Sequence, residues 1–178
     1  AGDTLSVTGP LPDKSIPDMG WGWNLISIPV TPEDPSISSV LSGISGNYSI
    51  VWAYDAGDAS DPWKKYDPSV PFGNDLTDLN SGKGYWIMMT SNDILSVTGT
   101  LKENGFALEP GWNLIGYDSL SSQPIADALA PVDGSYSIVW AYDAGDSSDP
   151  WKKYDPSVPF GNDLLEMEPG RGYWIMRS

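Results

Sequence analysis

Short apolar runs rich in Val, Ile, Trp and Tyr alternate along this chain with clusters of Gly, Pro, Asn and Asp, the punctuation typical of antiparallel sheets. In the first half the runs predict strands at residues 5–8, 23–30, 48–55, 63–66 and 85–90. Between Tyr48 and Tyr54 the two-residue period puts Tyr48, Ile50, Trp52 and Tyr54 on one face and Ser49, Val51 and Ala53 on the other. One face of that strand is therefore expected to be heavily aromatic. A single segment carries a different period: Ile37, Val40, Leu41 and Ile44 fall at i, i+3, i+4 and i+7, as do Ile125, Ala128, Leu129 and Val132. That is the spacing of one helix face. Asp34 ahead of Pro35 is the expected N-cap, Ser122 stands at the same place in the second copy, and Pro131 or Gly134 would end that copy. The connection is long enough to leave a parallel strand pairing across the helix open.

The pattern occurs twice. Residues 48–76 recur at 136–164 with one change, Ala59 against Ser147, and Leu5-Ser6-Val7-Thr8-Gly9 reappears at residues 95–99. A period of roughly 88 residues exceeds that of solenoid or propeller repeats and approaches a small domain. The expected architecture is mainly β: two homologous β-sandwich or β-barrel-like modules in tandem, each with one short helix. The cut falls near Ser91 to Asp93, where Ser-Asn-Asp reads as a turn, giving modules over residues 1–92 and 93–178. The segment at residues 95–99 suits either the end of the first module or the start of the second. The near-identity of the central block, beside divergent flanks at 10–20 and 100–110, fits a shared ligand surface or a recent segmental exchange equally well.

The formal net charge of −15 argues against nucleic acid, whose phosphates need Lys and Arg, and against anionic membranes. Cysteine is absent, so there is no disulfide framework or thiolate metal site. Histidine is absent too, which removes the usual proton-transfer side chain near neutral pH and most zinc, copper and iron chemistry. No run of ~18 apolar residues is available to cross a bilayer as a helix, and no membrane insertion is expected. Ala1-Gly2-Asp3 does not read as a secretory signal, so the chain looks like a mature piece of something larger.

Gly22-Trp23-Asn24-Leu25-Ile26 returns as Gly111-Trp112-Asn113-Leu114-Ile115, and Gly84-Tyr85-Trp86-Ile87 as Gly172-Tyr173-Trp174-Ile175. Together with Val-Trp-Ala-Tyr-Asp and Trp-Lys-Lys-Tyr between them, these motifs resemble a repeat module of large exported or cell-surface prokaryotic proteins. The resemblance covers nearly the whole chain, twice. It implies an extracellular or cell-surface location and neighbouring domains in a larger parent chain, with no settled activity and no site residues.

Those must come from the residues themselves. The hairpin tip Asp55-Ala56-Gly57-Asp58-Ala59-Ser60-Asp61-Pro62, repeated at residues 143–150, offers Asp55, Asp58 and Asp61, then Asp143, Asp146 and Asp149, as an oxygen cage for calcium, the only cofactor expected. The alternative is a solvated turn whose carboxylates bond local backbone. Trp63, Tyr66, Trp151 and Tyr154 flank lysine pairs beside this loop and are the candidate ligand-binding residues, stacking on sugar rings, with Asn74, Asp75, Lys64 and Lys65 to bond hydroxyls. Most other rings, among them Trp52, Tyr54, Tyr85 and Trp86, are expected in the core, because each brings a large apolar area.

Catalysis fits poorly. Asp67 with Asp75, or Asp58 with Asp61, could pair as a glycosidase acid and base, but acids are so common here that chance pairs are expected. Serine triads, phosphate loops and dinucleotide fingerprints have no counterpart. The expected function is a non-enzymatic extracellular tandem module with a structural or adhesive role, acting by avidity on a cell-surface or matrix component. The alternative is a carbohydrate-binding accessory module with a polysaccharide partner, and a glycoside hydrolase stands third.

Overall fold

The computed structural model describes residues 19–101 and 105–178. The strand expected at residues 5–8 lies outside them. In the first half β1 (Gly22–Ser27), β2 (Thr31–Pro32), a one-turn helix α1 (Ile37–Val40), β3 (Tyr48–Tyr54), β4 (Trp63–Tyr66), β5 (Gly84–Met89) and β6 (Gly99–Thr100) follow one another. The second half contains β7 (Gly111–Gly116), β8 (Gln123–Pro124), α2 (Ile125–Ala128), β9 (Tyr136–Tyr142), β10 (Trp151–Tyr154), β11 (Glu166–Met167) and β12 (Gly172–Arg177), of which β7, α2, β9, β10 and β12 repeat β1, α1, β3, β4 and β5.

The chain is mainly β and holds two similar four-stranded antiparallel sheets, ordered β1-β5-β3-β4 and β7-β12-β9-β10. Two short ribbons, β2 with β6 and β8 with β11, complete the pairing. In each sheet the outer strands do not pair with each other, so the sheet stays open. Each half thus contributes one open sheet instead of the sandwich or barrel expected within it. β1 and β3 do run the same way, but both pair antiparallel with β5, which lies between them and takes the place of a parallel pairing.

The helical period is real but short. Ile37, Val40, Leu41 and Ile44 are all buried, yet after one α-turn the chain tightens into a 3-10 turn at Ser42–Ile44. The N-cap position is Ser36, not Asp34, whose Oδ1 instead accepts the Ser36 N–H at 3.0 Å. In the second half Pro124 occupies that position in place of Ser122, and Pro131 falls inside the 3-10 turn Ala130–Val132.

Packing on one face of each sheet is largely aliphatic. Val51, Ile87, Ile26 and Leu41 centre the first cluster; Val139, Ile175, Leu129 and Met167 centre the second. Leu95 and Val97 belong to the first cluster although they follow the 92/93 cut, and Met19 bonds Asp93 backbone to backbone in both directions at 3.1 Å. One bulge changes the strand reading. The β3–β5 register shifts between Tyr48 and Ile50, so Tyr48 turns into the core with Val51 while Ile50, Trp52 and Tyr54 keep the opposite face. β9 and β12 repeat the shift at Tyr136 and Arg177.

The halves meet about an approximate two-fold axis. Ile26 bridges Arg171, and the equivalent pair, Ile115 with Lys83, bridges on the other side. A Cβ on Gly84 would lie 2.8 Å from the Ile115 carbonyl oxygen and 2.9 Å from Leu114; one on Gly172 would lie 2.8 Å from the Ile26 carbonyl oxygen. Leu25 and Leu114 are buried but belong to neither aliphatic cluster, because they fill this junction. Backbone cannot retreat as a side-chain tip can, so Gly84→Ala and Gly172→Ala should each lower the unfolding free energy by about 1–3 kcal/mol in denaturant titrations. Gly43→Ala, with nothing within 4 Å, serves as the neutral control.

Candidate functional site

Strand alternation separates the aromatic residues by type. On β3, β4 and β5 the side chains of Val51, Ala53, Tyr66, Tyr85 and Ile87 pack into or against the aliphatic cluster. Their neighbours Trp52, Trp63 and Trp86 therefore stand on the opposite face, where Trp52 is directly across from Trp86, and Trp23 on β1 is across from Met88. Trp112, Trp140, Trp151 and Trp174 repeat the arrangement in the second half. Every tryptophan of the nine except Trp21 therefore lies on these two faces.

The rings hold one another edge-on. Within the halves Trp23 meets Trp86 with centroids 6.2 Å apart and Trp52 meets Trp63 at 6.3 Å, both nearly perpendicular. Between the halves Trp86 touches Tyr142 at 5.1 Å and Trp151 at 5.9 Å, and Trp174 touches Tyr54 and Trp63 at the same two distances. Edge-to-face contact fixes ring orientation and leaves ring surface free. Trp23, Trp112 and Trp151 are 40 % exposed and Trp63 41 %. Two open grooves result. One, of about 570 Å³, is lined by Trp112, Trp140, Trp151 and Trp174. The other, of about 640 Å³, is lined by Trp23, Trp52, Trp63 and Trp86 with Tyr142 and Trp151.

Of the candidate ligand residues, Trp63 and Trp151 lie on this open face. Tyr66 and Tyr154 do not: one residue of alternation on each side of the lysine pair turns them inward against the clusters. Burial, and then the neighbouring Tyr66, pushes the Tyr48 hydroxyl up to about 12. Conversely, Trp23, Trp52 and Trp86, which were expected in the core or not singled out, line the groove. The signal was present in Tyr85-Trp86-Ile87: two residues bound for the core at spacing two force the ring between them outward.

Most polar partners proposed for sugar hydroxyls are committed elsewhere. Asn74 accepts the Asp67 N–H and donates to the Asp67 and Val70 carbonyls, bracing a loop that leaves Phe72 79 % exposed. Asp75 Oδ1 accepts the Lys65 N–H at 2.5 Å. Lys64 Nζ lies 2.9 Å from Asp58 and 3.4 Å from Asp61. Lys65, cross-strand from Trp52, and its counterpart Lys153, cross-strand from Trp140, are the charged residues at strand positions of the aromatic faces.

The acidic hairpin tip is arranged as a self-satisfied turn. Asp55 Oδ1 accepts the Gly57 N–H at 3.1 Å; Asp58 Oδ1 accepts Ser60 N–H, Ser60 hydroxyl and Asp61 N–H. Asp143 and Asp146 repeat these bonds, Asp149 sits 3.6 Å from Lys152, and Arg171 comes within 3.8 Å of Asp143. In each tip a lysine ammonium pairs with two of the three carboxylates named as calcium candidates, Lys64 with Asp58 and Asp61 and Lys152 with Asp146 and Asp149. Among the described residues no group of three or more His, Cys, Asp or Glu is placed to hold a metal. The paired acids considered for glycoside hydrolysis are likewise engaged: Asp58 with Asp61 on one lysine, Asp67 on Ser69 and Asp75 on backbone.

Comparison of the chain with protein-family models, curated proteins and solved structures gives no match. The resemblance to exported repeat modules therefore rests on its motif residues alone.

The Lys64 hydrogen bond, followed by those from Ser60 and the Asp61 backbone, holds the Asp58 carboxyl well below the ordinary carboxylate range; Lys152 and Ser148 do the same for Asp146. A depressed folded-state pKa adds stability that is full above the unfolded value near 4 and disappears as pH falls toward the folded one. Asp58→Asn with Asp146→Asn should therefore melt below the parent protein at neutral pH. In calorimetry the gap in Tm should narrow progressively as pH is lowered below about 4.

Proposed function

We propose that this chain is a non-enzymatic, extracellular or cell-surface binding module that attaches its parent protein to carbohydrate polymers through the tryptophan faces. The observation that carries this reading is the pair of grooves walled almost entirely by indole rings, four of them about 40 % exposed. An apolar surface of this extent marks an interaction site. Pyranose rings carry apolar C–H faces that match flat aromatic ones, and rings fixed by edge contacts lose little freedom on binding, so less of the contact energy is spent on ordering. The surrounding acidity favours solubility and keeps copies of the chain apart. Adhesion, the role expected from the duplicated sequence, then has a chemical basis. No helix among the described residues is long and apolar enough to cross a membrane.

Against a panel of soluble and insoluble polysaccharides, binding should change tryptophan fluorescence and deplete protein onto at least one polymer. Trp63→Ala combined with Trp151→Ala should weaken that binding at least about thirtyfold, the effect of losing hot-spot rings worth about 2 kcal/mol. Unchanged fluorescence and no depletion across the panel would remove the proposal.

A further inference from the structure

Duplicated modules are usually pictured as two independent sites that gain by avidity; the ring geometry here points elsewhere. Ring contacts between the halves, Trp86 to Trp151 and Trp63 to Trp174 at 5.9 Å, are as close as those within a half, 6.2 and 6.3 Å. Trp151 lines both grooves. Since Trp52 and Trp86 are cross-strand partners, as are Trp140 and Trp174, the indoles continue across the junction without a break.

Resting on the polysaccharide reading above, we infer that the two grooves form one continuous track for a single extended, uncharged polysaccharide whose sugars are flat and equatorially linked. The lining decides the ligand class. Neither groove is lined by a carboxylate, an amide or a serine, the groups that discriminate individual hydroxyls by bidentate or paired hydrogen bonds. What remains to be recognised is a long, flat apolar face, and β-1,4-linked pyranose chains present one on each sugar. Lys65 and Lys153 stand on the same faces and can donate to hydroxyls. Their two charges sit within a chain of net charge −15, which repels a polyanion at range.

The discriminating experiment is calorimetric titration of the intact protein with cello- and chito-oligosaccharides of increasing length, with polygalacturonate as the charged comparison. One long oligomer should bind per chain, with affinity rising until the ligand spans both grooves. Trp23→Ala, whose one ring contact among the described residues is with Trp86 of its own half, should cut long-chain affinity tenfold or more while leaving short oligomers bound with unchanged affinity in the groove of the second half. Trp112→Ala, at the equivalent position of the second half, should have the mirror effect, and melting curves of both variants establish that they fold. Two equal, non-interacting sites for long and short ligands alike would overturn the continuous track while leaving polysaccharide binding intact. Preference for polygalacturonate would overturn the uncharged class. Absence of binding by every sugar would overturn the polysaccharide reading and this inference with it.

Discussion

Each four-stranded sheet has two faces, but its helix, ribbon and loops cover only one of them. The uncovered face is met at the junction by rings from the other half, through Trp86 with Tyr142 and Trp151, and Trp174 with Tyr54 and Trp63. Each such pair contributes about 0.5–1.5 kcal/mol beyond the area it buries. The approach is possible because Gly84 and Gly172 leave room for the opposing backbone. At the junction the rings of each sheet cover part of the other's, and Trp63 and Trp151, which make these contacts, still leave part of their surface exposed.

This arrangement explains what could be read from the residues and what could not. Strand positions follow from two-residue alternation, and the helical stripe Ile37, Val40, Leu41, Ile44 is buried as its spacing requires. Tyr48 was placed on the wrong face because a bulge shifts its register by one residue, and nothing local announces a bulge at Ser49. Trp52 and Trp86 are expected in the core on size alone. Size does not decide burial when a smaller aliphatic neighbour on the same strand, Val51 beside Trp52 or Ile87 beside Trp86, already fills the interior. The meeting of the halves is a long-range fact, carried by Gly84 and Gly172, whose role is invisible without the opposing carbonyls.

The acidic turns follow the same economy. Asp58 and Asp146 each cap their own loop and hold a lysine from the adjoining strand. This keeps carboxylates at the hairpin tip and off the indole face. Exposed pair interactions of this kind are individually weak, so their consequence is chiefly one of placement: neither groove is lined by a carboxylate. Lys65 and Lys153 face the rings, whereas Lys64 and Lys152 face the loop, so adjacent lysines serve different ends purely through strand alternation.

The near-identity of the central block acquires a structural reason in this geometry. A two-fold junction uses the same residues from both sides, so Tyr54 and Trp63 against Trp174 must match Tyr142 and Trp151 against Trp86. A change in one copy alters one of two equivalent contacts and tilts the sheets away from symmetry. The single difference in the block, Ala59 against Ser147, falls at the exposed hairpin tip in both copies, where no partner ring registers it. Uniformity at Tyr54 and Trp63 and at Tyr142 and Trp151 is what a symmetric aromatic junction demands of its sequence, whereas the identical loops at 67–75 and 155–163 make no ring contact across it among the described residues.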